Sequence, residues 1–331
     1  MSGVLVGVDI GGTKVAAAVV AVDGRILGAA SVPSRQPGMD VLDVIWSGIE
    51  KGVAASGRSW NEVLALGVGA PGPVDPETGL WWGSSNLAIP DPPMPLADAL
   101  RARANRPTFV ENDVKAAGLG EFHFGHGRRL QGSEKGLLFI SVGTGLAASL
   151  LIGGSLLRGR RDAGEIGHIP VVPDGYPCGC GHRGCLETVA SGRALLRWGR
   201  EMLDAQWPTR LRELCGGDPA ALQGDHIMQA AREGDAVALE LVERLARGIA
   251  LAILAGLRAY DPHLLVLGGG VIARGGPFLW QKIEGAFATL SPTYGRGKEV
   301  RASALGGEAG VLGAAAVGLH GLKYAKAGGS W

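Results

Sequence analysis

The order strand, Gly-Thr turn, strand occurs twice in this chain, and it limits the possible folds more than any other feature. An apolar run at 4–8 leads through Gly11-Gly12-Thr13 into a second run at 15–22. About 130 residues later, 136–142 leads through Gly143-Thr144-Gly145 into 146–152. Short apolar runs between turn residues are typical of buried strands. The recurrence indicates an internal duplication, with two related halves facing each other.

The remaining hydrophobic patterns alternate between strands and helices, which predicts an α/β fold. The turn at Asp23-Gly24 and a run at 26–32 complete an antiparallel meander with the first two strands. We expect a long loop at 71–95, an irregular Gly-, Cys- and His-rich segment at 153–187, and a disordered tail at 325–331. Further strands are predicted at 63–69, 108–110, 264–267 and about 301–304, and helices at 39–55, 96–104, 114–122, 189–204, 225–233, 235–260 and 309–322.

Composition excludes several classes of protein. The net charge of +1 and an aromatic content of 5% do not favour nucleic acid as a partner. No apolar run approaches the roughly 20 residues of a membrane-spanning helix. The first residues lack the basic and apolar regions of a signal peptide, so we expect a cytoplasmic protein. Glycine is in excess, with 56 of 331 residues, and the glycines separate apolar runs, which predicts tight turns and close backbone approaches.

The glycine-rich turns suggest a phosphate-binding site. The chain has no Walker A loop, and the G-x-G-x-x-G match at 67–72 is followed by Pro73-Val74-Asp75-Pro76 where a dinucleotide fingerprint requires a helix. The two Gly-Thr turns offer backbone N–H groups and a hydroxyl to a nucleotide's phosphates. A hairpin alone would explain one such turn. Two of them, with a third run after a buried strand (Gly268, Gly269, Gly270), favour nucleotide binding.

Two charged residues border the first Gly-Thr turn. Asp9 ends the strand before it and is placed to orient Mg²⁺ through water molecules. Lys14 follows the turn and adds a positive charge for phosphate. We therefore assign cofactor binding to Asp9, Gly11, Gly12, Thr13 and Lys14 in one half, and to Gly143, Thr144 and Gly145 in the other.

Three cysteines within eight residues predict a metal site. Cys178, Cys180 and Cys185 are interleaved with glycines, and three thiolates need one more nitrogen or sulfur ligand to complete a tetrahedral Zn²⁺ site. His168 or His182 could be that ligand, and spacing does not choose between them. A filled shell of four protein ligands indicates a structural zinc. Cys215 is expected to be an ordinary buried thiol.

Several acidic residues are candidates for binding or deprotonating a hydroxyl group of a substrate. The motif Glu111-Asn112-Asp113 precedes a predicted helix. The simpler interpretation is that Asn112 or Asp113 caps the N-terminus of that helix. Asp113 is nevertheless the candidate base, because phosphoryl transfer needs a carboxylate that accepts the hydroxyl proton. Glu165 and Glu187 lie beside the candidate zinc ligands, and two carboxylates on a metal-fixed loop suit the vicinal hydroxyls of a sugar.

Together these residues resemble the ROK family (repressors, open reading frames, sugar kinases) over residues 4 to about 320. The resemblance lies in several motifs in the same order, namely Asp9-Ile10-Gly11-Gly12-Thr13-Lys14, 67–75, Glu111-Asn112-Asp113, Ser141-Val142-Gly143-Thr144-Gly145, Gly164-Glu165-Ile166-Gly167-His168, 178–187 and Leu267-Gly268-Gly269-Gly270. It implies an actin-like ATPase (ribonuclease H-like) fold of two α/β domains with a cleft between them. We expect a small domain of 1–113 with 308–324, and a large domain of 114–307 with the zinc loop.

The resemblance also implies roles for individual residues. It makes Asp113 the base that acts on the 6-hydroxyl of a hexose and His168 the fourth zinc ligand. His168 could serve both sites, with one ring nitrogen on zinc and the other toward a hydroxyl. The implied sugar-binding residues are Gly72, Asn86, Asn112, Asp113, Glu165, His168 and Glu187.

The implied activity is an ATP-dependent phosphorylation of glucose at O6, with ATP, Mg²⁺ and structural Zn²⁺ as cofactors. Kinases of N-acetylglucosamine, N-acetylmannosamine, fructose or mannose, and a non-catalytic sugar-sensing protein, are the alternatives. Repressors of the family carry a helix-turn-helix before the first strand, and because the first predicted strand starts at Val4 we do not expect one in this sequence. Relatives that use polyphosphate usually lack the zinc loop, which favours ATP. A homodimer or homotetramer without nucleic-acid or membrane partners is expected.

Overall fold

A computed structural model describes residues 3–84, 87, 89–160, 162–292 and 299–326 of the chain. The chain divides into two compact units, which are described separately. The first contains Met1–Glu134, Ser149–Ala163 and Ala304–Trp331, and the second contains Lys135–Ala148 and Gly164–Ser303. The domain boundaries expected from the sequence stay a prediction.

The strands and helices alternate as the sequence pattern indicates. The strands are β1 (Val4–Ile10), β2 (Lys14–Ala21), β3 (Ile26–Pro33), β4 (Val63–Ala70), β5 (Val74–Asp75), β6 (Leu80–Trp81), β7 (Met94–Pro95), β8 (Thr108–Asn112), β9 (Gly136–Val142), β10 (Leu146–Ile152), β11 (Ser155–Leu156), β12 (Leu264–Gly268) and β13 (Val300–Ala302). The helices are α1 (Val41–Ser56), α2 (Leu96–Ala104), α3 (Asp113–His123), α4 (Gly192–Asp204), α5 (Leu211–Leu214), α6 (Gly224–Arg232), α7 (Ala236–Tyr260), α8 (Gly270–Leu290) and α9 (Ala309–Lys326).

The first unit is built on a sheet with the strand order β3-β2-β1-β4-β8. Strands β1, β2 and β3 pair antiparallel, which confirms the predicted meander, and β4 pairs parallel with both β1 and β8. Val6 and Val8 of β1 are buried with Val68 of β4 and Ile49 of α1 in one apolar core. The parallel arrangement of β4 and β8 brings their carboxyl ends to the same edge of the sheet, where the Asn112-Asp113 corner lies.

Helix α9 packs against the same sheet at unusually close range. A Cβ added to Gly7 of β1 would collide with the backbone oxygen of Val311, and one added to Gly67 of β4 would collide with that of Ala314. These two positions therefore require glycine, because any side chain would push the helix away from the strands. Part of the glycine excess thus serves helix–sheet packing, independent of any ligand.

The second sheet repeats the strand order of the first. Its order is β11-β10-β9-β12-β13, and β12 pairs parallel with both β9 and β13. In each sheet, the two strands joined by the Gly-Thr turn are neighbours. The next strand along the chain (β3 or β11) pairs with the second strand of that hairpin, and the last two strands of the order (β4 and β8, or β12 and β13) lie on the side of its first strand. The matching order supports the internal duplication that the repeated pattern predicts.

Three local predictions need correction. The segment 71–95 is more than a loop, because it contains a small sheet of order β5-β6-β7, with the indole of the fully buried Trp81 donating to the Pro71 carbonyl at 2.8 Å. Helix α8 was not predicted, because Gly275-Gly276-Pro277 interrupts the helical spacing of its apolar residues. The backbone of Gly276 has non-helical φ and ψ angles within this helix. Helix α9 continues to Lys326, so a disordered tail from residue 325 was wrong for its first two residues.

Within the described part of the chain, no helix is both long and apolar enough to cross a membrane.

Candidate active site and cysteine cluster

The three clustered cysteines meet one histidine in the second unit. The ligand atoms of His168, Cys178, Cys180 and Cys185 all lie within 4.8 Å of one another. His182 is the other histidine considered from the sequence; its Nδ1 lies 3.5 Å from the Cys180 sulfur, but the residue is not a member of this group of four. The geometry therefore favours His168 over His182 as the fourth member of the cluster.

The spacing of the cluster fits a tetrahedral ion. Zinc–sulfur bonds of about 2.3 Å and zinc–nitrogen bonds of about 2.0–2.1 Å imply S···S separations of about 3.8 Å and S···N separations of about 3.5 Å. The Cys180 and Cys185 sulfurs are 3.6 Å apart, and the Cys178 sulfur is 3.5 Å from Nδ1 of His168. The donor set of three thiols and one imidazole is one that suits structural zinc.

Protonation within the cluster is uneven. Hydrogen bonds from the backbone and ring of His182 lower the pKa of Cys180 to about 6, so that exposed thiol is readily ionised. Burial, followed by the neighbouring thiols, raises the pKa of Cys185, which has no exposed surface. A bound cation would offset the cost of ionising Cys185, because metal ligation requires the thiolate.

His168 also faces the acidic residue that precedes it by three positions. Its Nε2 lies 3.9 Å from Oε2 of Glu165, on the side of the ring opposite the nitrogen that meets Cys178. Both side chains are partly exposed. The ring thus has one nitrogen in the cysteine cluster and the other beside a carboxylate, as expected if it serves two sites.

Glu187 is fixed by the strand that follows the second Gly-Thr turn. Its Oε2 accepts a hydrogen bond from the backbone N–H of Leu146 at 3.0 Å, and a Cβ on Gly145 would collide with the same oxygen. Gly145 therefore has to be glycine for the carboxylate to reach the strand. The structure places Glu187, Glu165 and His168 on one short stretch of the second unit around the cysteine cluster.

The second Gly-Thr turn borders a cavity of about 260 Å³ in the second unit. The turn is held against the start of α4, where the N–H groups of Gly192 and Arg193 donate to the carbonyls of Gly143 (2.8 Å) and Thr144 (3.3 Å). The cavity lining consists of Gly143, Thr144, Gly192, Arg193, Leu195, Leu196, Leu222, Gln223, Gly224, Asp225, Met228, Val271 and Arg274. Of these, only Gly143 and Thr144 were predicted as site residues.

Three helices begin at this cavity. The first residues of α4, α6 and α8 are Gly192, Gly224 and Gly270, and the cavity lining includes the start of each helix. Helix N-termini carry partial positive charge and favour anions. Arg193 and Arg274 add two guanidinium groups, and Asp225 lies 3.6 Å from the Arg274 Nε. Gly224, directly before the predicted helix at 225–233, was the available sequence signal for one of these helix starts, whereas the helix that begins at Gly270 was not predicted.

The third glycine run forms the turn between β12 and α8. Gly269 has a φ of 90°, which side chains rarely tolerate, and a Cβ there would lie 2.5 Å from the Val142 carbonyl oxygen. The run therefore lies next to the end of β9, which leads into the Gly143–Gly145 turn. The structure brings together the two glycine turns that were predicted separately within the second unit.

The first unit carries the other predicted turn. The N–H of Gly11 donates to the Lys14 carbonyl at 2.9 Å, and Ser34 donates its hydroxyl proton to the Gly11 carbonyl at 2.6 Å. Asp9 precedes this turn and faces the start of α9, where a Cβ on Gly310 would collide with its carboxylate. Burial raises the pKa of Asp9, and the charge of Lys14 opposes that rise. A divalent cation would favour the ionised carboxylate in the same way.

The Asn112-Asp113 corner connects β8 to α3 in the first unit. Asn112 is the N-cap, since its Oδ1 accepts from the N–H groups of Val114 (3.0 Å) and Lys115 (3.3 Å). Its amide also donates to the Gly72 carbonyl at 3.4 Å, so two predicted sugar-binding residues touch. Asp113 is the first residue of α3, and its Oδ1 accepts from the Val114 N–H at 2.9 Å. Asn86, the remaining predicted sugar-binding residue, lies outside the described residues.

The two matching sheets, each a five-stranded mixed sheet extended from one hairpin, are those of an actin-like ATPase fold. The model of the ROK family matches residues 5–320, and this chain belongs to that family. It is 38% identical to a glucokinase of Streptomyces coelicolor over 321 residues, which are 95% of this chain and 96% of the relative.

Solved structures agree with this assignment. A ROK family glucokinase from Streptomyces griseus, crystallised in complex with glucose and AMPPNP, is 37% identical with a TM-score of 0.82, over 96% of this chain and all of that one. The ROK hexokinase from Thermus thermophilus is 32% identical with a TM-score of 0.78, over 97% of this chain and 99% of that one. The predicted family and fold are therefore confirmed.

Proposed function

We propose that this protein is an ATP-dependent hexokinase that phosphorylates glucose at O6. The observation that carries the assignment of substrates is whole-length similarity to glucokinases, including one crystallised with glucose and AMPPNP. AMPPNP has the adenosine and the chain of three phosphorus atoms that ATP has, so the same pair of ligands suits this chain. Kinases of other hexoses and a non-catalytic sugar sensor are not favoured by these similarities.

Asp113 is the proposed general base. It lies at the first turn of α3, where the helix N-terminus stabilises a carboxylate, and its neighbour Asn112 fixes the corner by capping the helix. The carboxylate accepts the proton of the glucose 6-hydroxyl as O6 bonds to the γ-phosphorus. The bond from that phosphorus to the β,γ-bridging oxygen breaks, and ADP leaves with the electron pair. General-base catalysis contributes roughly 10²- to 10⁴-fold to such a step.

The proposed sugar-binding residues in the second unit are Glu165, His168 and Glu187. Those in the first unit are Gly72, Asn86 and Asn112, with Asp113. Carboxylates accept hydrogen bonds from sugar hydroxyls, and charge-assisted hydrogen bonds are about twice as strong as neutral ones. The hydrogen bond from the Leu146 N–H to Glu187 fixes the direction of the Glu187 carboxylate before a ligand binds.

ATP is proposed to bind in the cavity beside Gly143 and Thr144. Three helix N-termini and Arg193 contribute positive charge to that cavity, which suits a polyphosphate, while Asp225 offsets the charge of Arg274. The turns at Gly11–Lys14 and Gly268–Gly270 are the further proposed nucleotide-binding segments. Asp9 would hold Mg²⁺, which neutralises phosphate charge when bound with ATP.

The cysteine cluster is proposed to bind structural Zn²⁺ through His168, Cys178, Cys180 and Cys185. The measured sulfur and nitrogen separations match a tetrahedral shell, and four protein ligands leave no position for a substrate. The ion would supply rigidity, since it joins 168 to 178–185, the segments that carry Glu165 and Glu187 on either side.

A coupled ADP-release assay over a panel of hexoses and phosphoryl donors tests the proposed function. We expect the highest kcat/KM for glucose with ATP, and lower values for mannose, fructose, N-acetylglucosamine and N-acetylmannosamine. The matched control is 6-deoxyglucose, which keeps the other hydroxyls but has no acceptor at carbon 6. Turnover of 6-deoxyglucose would contradict the O6 assignment. A higher kcat/KM for another hexose, or no turnover with any pair, would contradict the glucokinase assignment.

A further inference from the structure

Glu111 precedes the Asn112-Asp113 corner and holds it through two hydrogen bonds. Its Oε1 accepts from the backbone N–H of Asn112 at 3.0 Å, and its Oε2 accepts from Nε of Arg158 at 2.8 Å. The residue is only 1% exposed. One carboxylate thus connects the backbone of the corner to a guanidinium that is 47 residues away in the sequence.

A carboxylate this deeply buried depends on its counter-charge. Removing one partner of a buried ion pair leaves an uncompensated charge, which the surrounding structure relieves by rearranging. For Glu111 the nearest group to rearrange is the N–H of Asn112, to which it is already bonded. Asn112 in turn caps α3 through Val114 and Lys115, so a shift there moves the first turn of the helix, where Asp113 lies.

Arg158 has its own support within the first unit. It follows β11, and the neighbouring Leu157 donates its N–H to the Leu150 carbonyl at 2.8 Å. The hydroxyl of Tyr324 in α9 lies 3.0 Å from that of Ser155 in β11. The guanidinium therefore belongs to a residue two positions beyond a strand, in a segment that two separate contacts hold.

We propose that Arg158 is a positioning residue for phosphoryl transfer, which acts through its ion pair with Glu111 to fix the backbone at Asn112 and the direction of Asp113. In this role Arg158 acts through Glu111 and not by contact with the sugar or the nucleotide. The inference rests on the proposed function, since it assumes that Asp113 is the base. It adds Glu111 and Arg158 to the residues on which the reaction rate depends.

The test compares variants of the pair with a matched arginine at the other end of β8. Arg158→Gln and Glu111→Gln break the ion pair while keeping the approximate size of each side chain, and Arg158→Lys keeps the charge. Arg106→Gln is the control, because Arg106 also pins backbone in the first unit, donating to the carbonyls of Val63 (2.9 Å) and Trp60 (2.8 Å). Both arginines are half-buried.

For Arg158→Gln we expect kcat to fall by about 10- to 100-fold, since small misplacements of a catalytic group cost up to about 10²-fold. KM for ATP should stay within about twofold of wild type. Arg158→Lys should recover most of kcat, because it keeps the positive charge. The double variant Glu111→Gln/Arg158→Gln should have a kcat no lower than that of the slower single variant, because it leaves no unpaired buried charge. Arg106→Gln should lower Tm to a similar extent but leave kcat within about twofold. Equal losses of kcat in Arg106→Gln and Arg158→Gln would overturn the proposal.

A second measurement separates this proposal from the proposed function. Amide hydrogen exchange of peptides that cover 110–116 should be about tenfold faster in Arg158→Gln than in wild type, and unchanged in Arg106→Gln. Unchanged exchange in Arg158→Gln would overturn the positioning role whatever the activity. If wild type phosphorylates no hexose while the exchange result holds, the proposed function fails and the pair is shown to hold the corner alone.

Discussion

Oε2 of Glu187 accepts a hydrogen bond from the backbone N–H of Leu146 at 3.0 Å. This bond fixes a proposed sugar-binding carboxylate to the strand that leaves the second Gly-Thr turn. The proposed sugar-binding carboxylate is therefore bonded to the residue that directly follows the Gly143–Gly145 turn, although 41 positions separate Glu187 and Leu146 in the sequence.

Glu187→Gln should raise KM for glucose by about 10- to 100-fold, because a hydrogen bond to a charged group is worth about 1.5–3 kcal/mol. KM for ATP should change far less. Initial rates at saturating ATP over a range of glucose concentrations measure the effect. Glu240→Gln, on the exposed surface of α7, is the control. An unchanged KM for glucose would remove Glu187 from the sugar site.

Asp113→Asn should lower kcat by at least about 10²- to 10⁴-fold, the usual contribution of a general base. Glucose affinity should stay within a few-fold, because an amide keeps the size and one acceptor of the carboxylate. Rapid-quench rates give kcat, and isothermal titration calorimetry gives the affinity. Asp98→Asn, an exposed residue of α2, should retain wild-type rates. Turnover of Asp113→Asn near that of wild type would exclude Asp113 as the base.

Cys180→Ser should abolish stoichiometric zinc, because it removes one of four ligands and structural sites depend on all of them. Cys180 is exposed, so its replacement by serine causes no packing loss of its own. Elemental analysis of the purified proteins measures the metal. Cys215→Ser, which removes the buried cysteine outside the cluster, should keep about one zinc per chain. The same zinc content in both variants, or wild-type protein without zinc, would refute the site.

Acid should destabilise the first unit through a buried histidine pair. His123 and His320 are 6% and 4% exposed, and Nε2 of the first lies 3.5 Å from Nδ1 of the second. Burial first, and then the charge of Lys323 for His123 and of Arg158 for His320, lower their pKa values to about 3 and about 4. Because the folded values lie below the unfolded value near 6.5, the stabilisation is complete above pH 6.5 and is lost as the pH falls toward 4 and 3.

Each of these histidines should reduce the free energy of unfolding by up to about 1.4 kcal/mol per pH unit below 6.5. Urea unfolding at pH 7.5 and 5.5 measures the difference. His320→Gln, which cannot be protonated, should lose less stability between the two values than wild type. His226→Gln, in α6 of the second unit, should retain the full wild-type loss. Equal pH dependence in wild type and His320→Gln would contradict the assignment to this pair.

The fold was predictable where local patterns decide the structure. The meander and the second hairpin follow from short apolar runs separated by Gly-Thr and Asp-Gly turns, and the structure has both. Helix α8 was missed because Gly276 and Pro277 break the helical pattern, whereas the helix tolerates them at a kink. The small sheet at 74–95 was missed because its strands have two residues each, which is too short for any periodicity.

The grouping of the three cysteines was predictable from the sequence, whereas most residues that line the cavity were not. Cys178, Cys180 and Cys185 were identified by spacing, whereas the choice of His168 over His182 depends on a chain reversal that brings residue 168 beside 178. Arg274 reaches the cavity from the first turn of the unpredicted helix α8. No local pattern indicates such a residue, since only tertiary packing brings it to the Gly143 turn.

The common strand order of the two sheets leads to different structures at corresponding strand ends. The strand that pairs parallel with the first strand of the hairpin is β4 in one unit and β12 in the other. β4 ends at Ala70 and leads into a small sheet, whereas β12 ends at Gly268 and leads into a long helix. The same strand order thus precedes two different structures. One sheet plan therefore carries a proposed sugar-binding glycine, Gly72, shortly after β4 and a proposed nucleotide-binding run, Gly268–Gly270, at the end of β12.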